Sequence, residues 1–167
     1  MSQLIDKLSQ SSPVSQPMGF GRAAALPPKP RMLLIASLVP SRADRLAESA
    51  SGAAAGAWHI SAAADIKALS EKSRATPDIP WGCWLADARW EEIAPIVEAD
   101  FDFIIFPPTT PLAILKEAKE GEVGYILQVD ALLSEGLVRT INYLPGDAVL
   151  IAGEPGNSLT WDHLMLF

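Results

Sequence analysis

The sequence contains a single cysteine, Cys83, among 167 residues. One thiol cannot form an intramolecular disulfide. With only two histidines, His59 and His163, the chain also has too few ligands for a structural zinc site. Low cysteine usage is typical of a reducing compartment, so we expect a cytoplasmic protein.

Positive charge is also scarce, because 13 lysines and arginines face 20 aspartates and glutamates, for a formal net charge of -7. Nucleic-acid binding needs a basic surface, and anionic membranes attract basic segments, so the composition disfavours both partners. No apolar stretch is long enough to span a bilayer, and Asp6 and Lys7 interrupt what would be the apolar core of a signal peptide. A local positive site for a small anion remains compatible with this charge.

The first 31 residues differ in composition from the remainder. A short amphipathic helix is predicted over residues 2–9, with Leu4, Ile5 and Leu8 on one stripe. Residues 10–31 are rich in Ser, Pro, Gly and Ala, and their prolines oppose regular structure. We therefore expect residues 1–31 to be a helix and linker attached to one domain, residues 32–167, with the helix docked across the bottom of that domain.

Short apolar runs recur after Arg31, with starts 20–25 residues apart: Met32–Ser37, Ala57–Ser61, Trp81–Leu85, Phe101–Phe106, Val123–Val129 and Ala148–Ala152. Each run is continuous rather than alternating, which indicates strands buried on both faces. Helices are predicted between and after them: Ala43–Ala50, Ala63–Arg74, Trp90–Glu98, Pro111–Ala118, Leu132–Leu144 and Leu159–Phe167. This alternation predicts an α/β fold with parallel strands joined by right-handed crossovers.

Two architectures share this alternation, the (βα)8 barrel and the doubly wound open sheet. The first strand–helix turn, residues 37–41, has no glycine, whereas a doubly wound sheet usually carries a Gly-rich fingerprint there. The uniform repeat also favours the barrel, which typically needs about 250 residues. We therefore expect about six parallel strands of an incomplete barrel, truncated at its C-terminus. An open sheet and a barrel completed by another chain are the alternatives.

Two segments resemble sequences of the TIM-barrel superfamily. The segment Glu98–Pro108 is similar to a helix-to-strand joint common in phosphate-binding barrels and aldolases, and Ser51–Ile60 is a weaker copy. Asp100 and Phe101 replace the usual Gly-Ala of that joint. The resemblance implies a TIM-barrel fold, and it implies neither a specific family nor a catalytic residue.

Active sites of such barrels lie at the carboxyl ends of the strands. Polar residues occur near each predicted end: Ser37, His59, Ser61, Asp87, Thr109, Thr110, Gln128, Asp130 and Glu154. The catalytic candidates are His59, Asp130 and Glu154, because imidazoles and carboxylates are the usual proton-transfer groups. For His59 the alternative is a packed imidazole, because the sequence does not decide whether His59 or Trp58 points into the barrel.

The loop after the sixth run is the main candidate for ligand binding. Its backbone N–H groups and the dipole of the following helix could hold an anion through Gly153, Gly156, Asn157 and Ser158. The hydroxyl of Thr109 is a further candidate. The alternative is an ordinary turn, and Glu154 would repel phosphate.

Three other observations bear on function. No lysine lies near a strand end, which disfavours a Schiff-base aldolase, and Cys83 lies in mid-strand as an expected inert thiol. Thr110 is explained as the N-cap of the helix that begins at Pro111.

The resulting hypothesis is an enzyme acting on a small anionic, phosphorylated metabolite. The alternative is a non-catalytic barrel used in assembly or binding, whose unpaired edges favour a homo-oligomer. The sequence does not identify a cofactor, which stays unknown.

Overall fold

The computed structural model describes residues 2–11, 33–60, 66–76, 78–86, 95–96, 98–99, 101–113, 123–130, 135–141 and 143–152. Its strands are β1 (Ile35–Leu38), β2 (Ala55–Ile60), β3 (Trp81–Leu85), β4 (Phe103–Phe106), β5 (Gly124–Asp130) and β6 (Ala148–Ala152). Its helices are α1 (Gln3–Ser11), a 3-10 helix (Pro40–Arg45), α2 (Leu46–Ser49), α3 (Ile66–Ser73) and α4 (Glu135–Ile141). All five neighbouring strand pairs are parallel, so the prediction of six parallel strands is confirmed.

The strands lie in the sheet in the order of the sequence, from β1 to β6. A doubly wound sheet reverses its strand order at a switch point, so this order excludes that alternative. With its strands in this order, the parallel sheet curls into the wall of a half-barrel. The chain therefore has the expected α/β fold with an incomplete barrel.

The predicted strand boundaries coincide with the structure at β3 and β6 and differ by up to three residues elsewhere. The second helical segment begins earlier than expected, because Pro40 opens a 3-10 turn ahead of α2. The helices predicted at 90–98 and 159–167 lie largely or wholly outside the described residues, and so does most of the linker at 10–31.

The convex face of the sheet holds the larger hydrophobic core. Trp58 is completely buried there, its ring stacks on Trp81 with centroids 5.3 Å apart, and its Nε1 donates to Ser73 Oγ at 2.7 Å. Ile66 and Leu69 of α3 belong to the same cluster. Because Trp58 faces the helices, its neighbour His59 points to the concave face.

Helix α1 covers the concave face at the amino-terminal ends of the strands. Leu4 is completely buried in a cluster formed with small and large apolar side chains of the sheet: Ala55, Ala57, Phe103, Ile105 and Ile126. Ile5 and Leu8 pack against the same cluster. The prediction that Leu4, Ile5 and Leu8 dock this helix across the bottom of the domain is confirmed.

Asp102, immediately before β4, anchors the first turn of α1. Its carboxylate accepts hydrogen bonds from the Ser2 hydroxyl at 2.9 Å, the Gln3 N–H at 2.7 Å and the Leu4 N–H at 3.0 Å. The Lys7 ammonium donates to the Ala54 carbonyl at 2.9 Å. The carboxylate of a residue distant in sequence thus accepts the first-turn hydrogen bonds that an N-cap side chain normally accepts.

Asp102→Ala should release α1 from the sheet. The variant loses three acceptor contacts and leaves first-turn N–H groups without a partner, which costs about 0.5–2 kcal/mol for an N-cap. Urea unfolding measures the loss, and hydrogen exchange should show faster exchange in residues 3–11. Asp44→Ala is the matched control. Asp44 is 96% exposed, and its ion pair with Lys72 at 3.6 Å is a surface pair, which contributes little to stability. Unchanged α1 exchange in Asp102→Ala would contradict this role.

Candidate functional site

The carboxyl ends of the strands place several polar side chains on the concave face. Residues paired across parallel strands share a face, and Ser37 pairs with Ala57 of the concave cluster. His59 lies two residues further along β2 and pairs with Trp84 on β3. On β5, Gln128 lies two residues beyond the concave Ile126 and pairs with Leu150.

These side chains surround a cleft of about 580 Å³ at the mouth of the half-barrel. It is lined by Ser37, His59, Trp84, Ala86, Gln128, Leu150, Ile151 and Ala152. The lining comes from β1, β2, β3, β5, β6 and the residue after β3, so the curl of the sheet brings both edges to one cavity. Its volume is within the range of small-molecule sites.

Trp84 and Gln128 form the central contact of the cleft. The indole Nε1 donates to the amide Oε1 at 2.7 Å, which joins β3 to β5 across the intervening β4. The His59 ring lies against Trp84, with centroids 5.4 Å apart and planes inclined by 60°. All three side chains are half-buried, so each presents part of its surface to the cleft.

Of the three catalytic candidates, the described structure places His59 in the cleft. Asp130 ends β5 on the same face as Gln128, but it is exposed and does not line the cleft. Glu154 lies outside the described residues, as do the loop candidates Gly153, Gly156, Asn157 and Ser158. Joint action of His59, Asp130 and Glu154 therefore stays a prediction, and so does anion binding by that loop.

The turn after β4 carries the ligand-binding candidate Thr109, whose role stays a prediction, and the predicted N-cap Thr110. Thr109 is exposed and does not line the cleft, and the Thr110 N–H donates to the Pro107 carbonyl at 3.1 Å. Residues 111–113 form a turn, and the buried Thr110 Oγ1 has no hydrogen-bond partner in the described part of the chain. Thr110 therefore does not act as the predicted N-cap, because its hydroxyl accepts no N–H from a following helical turn.

Cys83 lies on the convex face of β3 within the hydrophobic core. Burial raises the pKa of this thiol well above its ordinary value. Since the thiolate is the nucleophile, a thiol held neutral in an apolar core is unreactive. The prediction of a buried cysteine in mid-strand is confirmed, and its inertness follows from the burial.

Sequence reasoning missed the Trp84–Gln128 contact. The sequence indicates Gln128 only as one of several polar residues near strand ends, and Trp84 only as a member of the third apolar run. Trp84 and Gln128 can be identified as a pair only from their positions on the concave face beside His59. Those positions depend on the register between the strands.

No group of three or more His, Cys, Asp and Glu side chains that could hold a metal ion occurs among the described residues. Within that same part of the chain, no helix combines the length and apolarity needed to cross a bilayer. No protein-family model, no characterised protein and no solved structure matches this chain. Its likeness to TIM barrels is therefore one of barrel-like α/β architecture, without an identified family or superfamily.

Proposed function

We propose that the cleft binds a small metabolite and that the chain forms the ligand-binding wall of an α/β barrel. The observation that carries the proposal is the convergence of His59, Trp84 and Gln128 in one cavity with an apolar side formed by Leu150. Ligand sites typically combine an apolar lining with a few fixed polar groups in this way. The carboxyl ends of the strands are also where barrels place their active sites.

His59 supports an enzymatic role for the cleft. Among the described residues of the lining it is the one ionisable side chain, and neither of its ring nitrogens has a hydrogen-bond partner within that part of the chain. No described protein group therefore competes with a bound substrate for a hydrogen bond to the imidazole, which suits general acid–base catalysis. The described lining contains no lysine or arginine, so the phosphorylated character of the substrate rests on the sequence hypothesis and the resemblance.

Assembly is the second candidate function, and the edge strands support it. Leu34, Ile35 and Val39 are exposed around β1, and Val149 is exposed on β6. Parallel sheets are normally covered on both faces, and an open edge offers backbone groups to another chain. A homo-oligomer joined at these edges would cover this apolar surface and leave the cleft open.

Ligand-observed NMR with a library of small aromatic and heteroaromatic metabolites tests the binding proposal. Ala86→Trp should abolish binding, because Ala86 lies at the exposed rim and an indole there fills the mouth without altering the core. Tyr143→Ala is the control, since Tyr143 is 88% exposed and does not line the cleft. Binding that survives Ala86→Trp would place the ligand elsewhere. A chain that binds nothing and self-associates in sedimentation would favour assembly.

A further inference from the structure

We infer that the ligand of this cleft presents an anionic oxygen, of the carboxylate or phosphate class, to the amide nitrogen of Gln128. The inference rests on the proposed binding function and specifies the chemistry of the bound group. It is carried by the hydrogen-bond polarity of the Trp84–Gln128 pair and by the charges of the lining.

The indole of Trp84 fixes which way the Gln128 amide faces. An indole N–H can only donate, so the atom 2.7 Å from Trp84 Nε1 is the amide oxygen. The amide nitrogen is therefore on the opposite side of the group. Rotating the amide would set two N–H donors against each other, so the orientation is stable.

The two N–H groups of Gln128 are available to a ligand. No acceptor among the described residues is hydrogen-bonded to Gln128 Nε2, and the side chain lines the cleft. The Ser37 hydroxyl and the His59 ring line the same cavity and can donate as well. The cavity therefore offers a ligand hydrogen-bond donors from three strands, β1, β2 and β5.

The charges of the lining favour an anion over a cation. No carboxylate belongs to the described part of the lining, and the nearest one along β5, Asp130, lies about 6.6 Å further along the strand. An ammonium group would find no negatively charged partner among the described residues of the cavity. An anionic oxygen would find N–H and O–H donors, and their hydrogen bonds are stronger when the acceptor carries a charge.

The test uses four probes that each carry a phenyl ring and differ in the polar group attached to it: benzoate, phenyl phosphate, benzyl alcohol and benzylamine. Their affinities are measured by ligand-observed NMR on the full chain and on Gln128→Glu. This substitution keeps the side-chain length and an oxygen for Trp84, but it replaces both N–H donors with a second carboxylate oxygen. The indole N–H resonance of Trp84 reports whether the pair stays intact, and Tyr143→Ala serves as the unaltered control.

We expect the wild-type chain to bind the two anions at least about tenfold tighter than benzylamine, and Gln128→Glu to reverse that order. The tighter of benzoate and phenyl phosphate identifies the source of the anionic oxygen. A preference for benzylamine or benzyl alcohol in the wild type would overturn the inference and leave the binding function intact. An anion preference unchanged in Gln128→Glu would also overturn it. Failure of all four probes and of the metabolite library would overturn the binding function itself.

Discussion

A Gly82→Val chain should fail to form the six-stranded sheet. Gly82 lies on the concave face of β3, and a Cβ built there would lie 2.5 Å from the backbone carbonyl oxygen of Phe103 and closer still to its ring. Phe103 is fully buried under α1, and the carbonyl belongs to a paired strand, so neither group can yield. Overpacking costs about 1–3 kcal/mol where side chains can adjust. A clash with backbone in mid-sheet costs more, against a total stability of about 5–15 kcal/mol.

Circular dichroism and urea titration measure this loss. Gly136→Ala is the matched control, since a Cβ at that position in α4 meets nothing within 4 Å. Alanine is also the better helix former, by about 1 kcal/mol, so the control should be as stable as the wild type or more so. A Gly82→Val chain with the wild-type unfolding midpoint would show that β3 and β4 are not packed as described.

Trp58→Ala should destabilise the protein by about 3–5 kcal/mol, the usual cost of truncating a buried aromatic side chain to alanine. Trp58 has no exposed surface, stacks on Trp81 and donates its N–H to Ser73. The substitution leaves a large cavity between the sheet and α3, and the structure can fill it only in part. Trp58→Phe should cost less, because it keeps a ring against Trp81 and loses mainly the hydrogen bond.

The measurement is the free energy of unfolding in urea for Trp58→Ala, Trp58→Phe and Tyr143→Ala. Tyr143 is the control for removing an aromatic side chain, because its exposure predicts a change within about 0.5 kcal/mol. A loss in Trp58→Ala no greater than in Tyr143→Ala would mean that the convex core is not organised around Trp58.

The fold was predictable because each buried parallel strand corresponds to a pattern within a short stretch of the sequence. Each strand is a short continuous apolar run, and the regular spacing leaves room for a crossover between runs. At β3 and β6 the apolar run and the strand have the same ends, whereas β4 begins at Phe103 although the run begins at Phe101. The difference is physical, since Phe101 is buried in the convex core without being paired in the ladder.

The cleft was predictable only in part, because its contacts join residues distant in sequence. Because side chains alternate along a strand, either His59 or Trp58 must point to the concave face. Helix α3 packs on the side of Trp58, so His59 is the residue on the concave face. Trp84 and Gln128 are separated by 44 residues, so their hydrogen bond depends on register and curl together. Asp102 was missed for the same reason: it lies in a segment interpreted as a helix-to-strand joint, and its partners are about a hundred residues away.

The docking of α1 also dictates an order of events during synthesis. Ser2 and Leu4 contact Asp102, and Ser2 and Ile5 lie against Gly124, so the docking surface of the helix is incomplete until β4 and β5 have been translated. At about 5–20 residues per second, the ribosome takes about 5–20 s to produce the intervening hundred residues. During that interval the apolar stripe of α1 has only Ala55 and Ala57 of its native cluster available and is open to chaperones or to non-native contacts. The α1 segment, translated before every strand of the sheet, is therefore among the last to be packed, and contacts of such long sequence separation make its docking a slow step of folding.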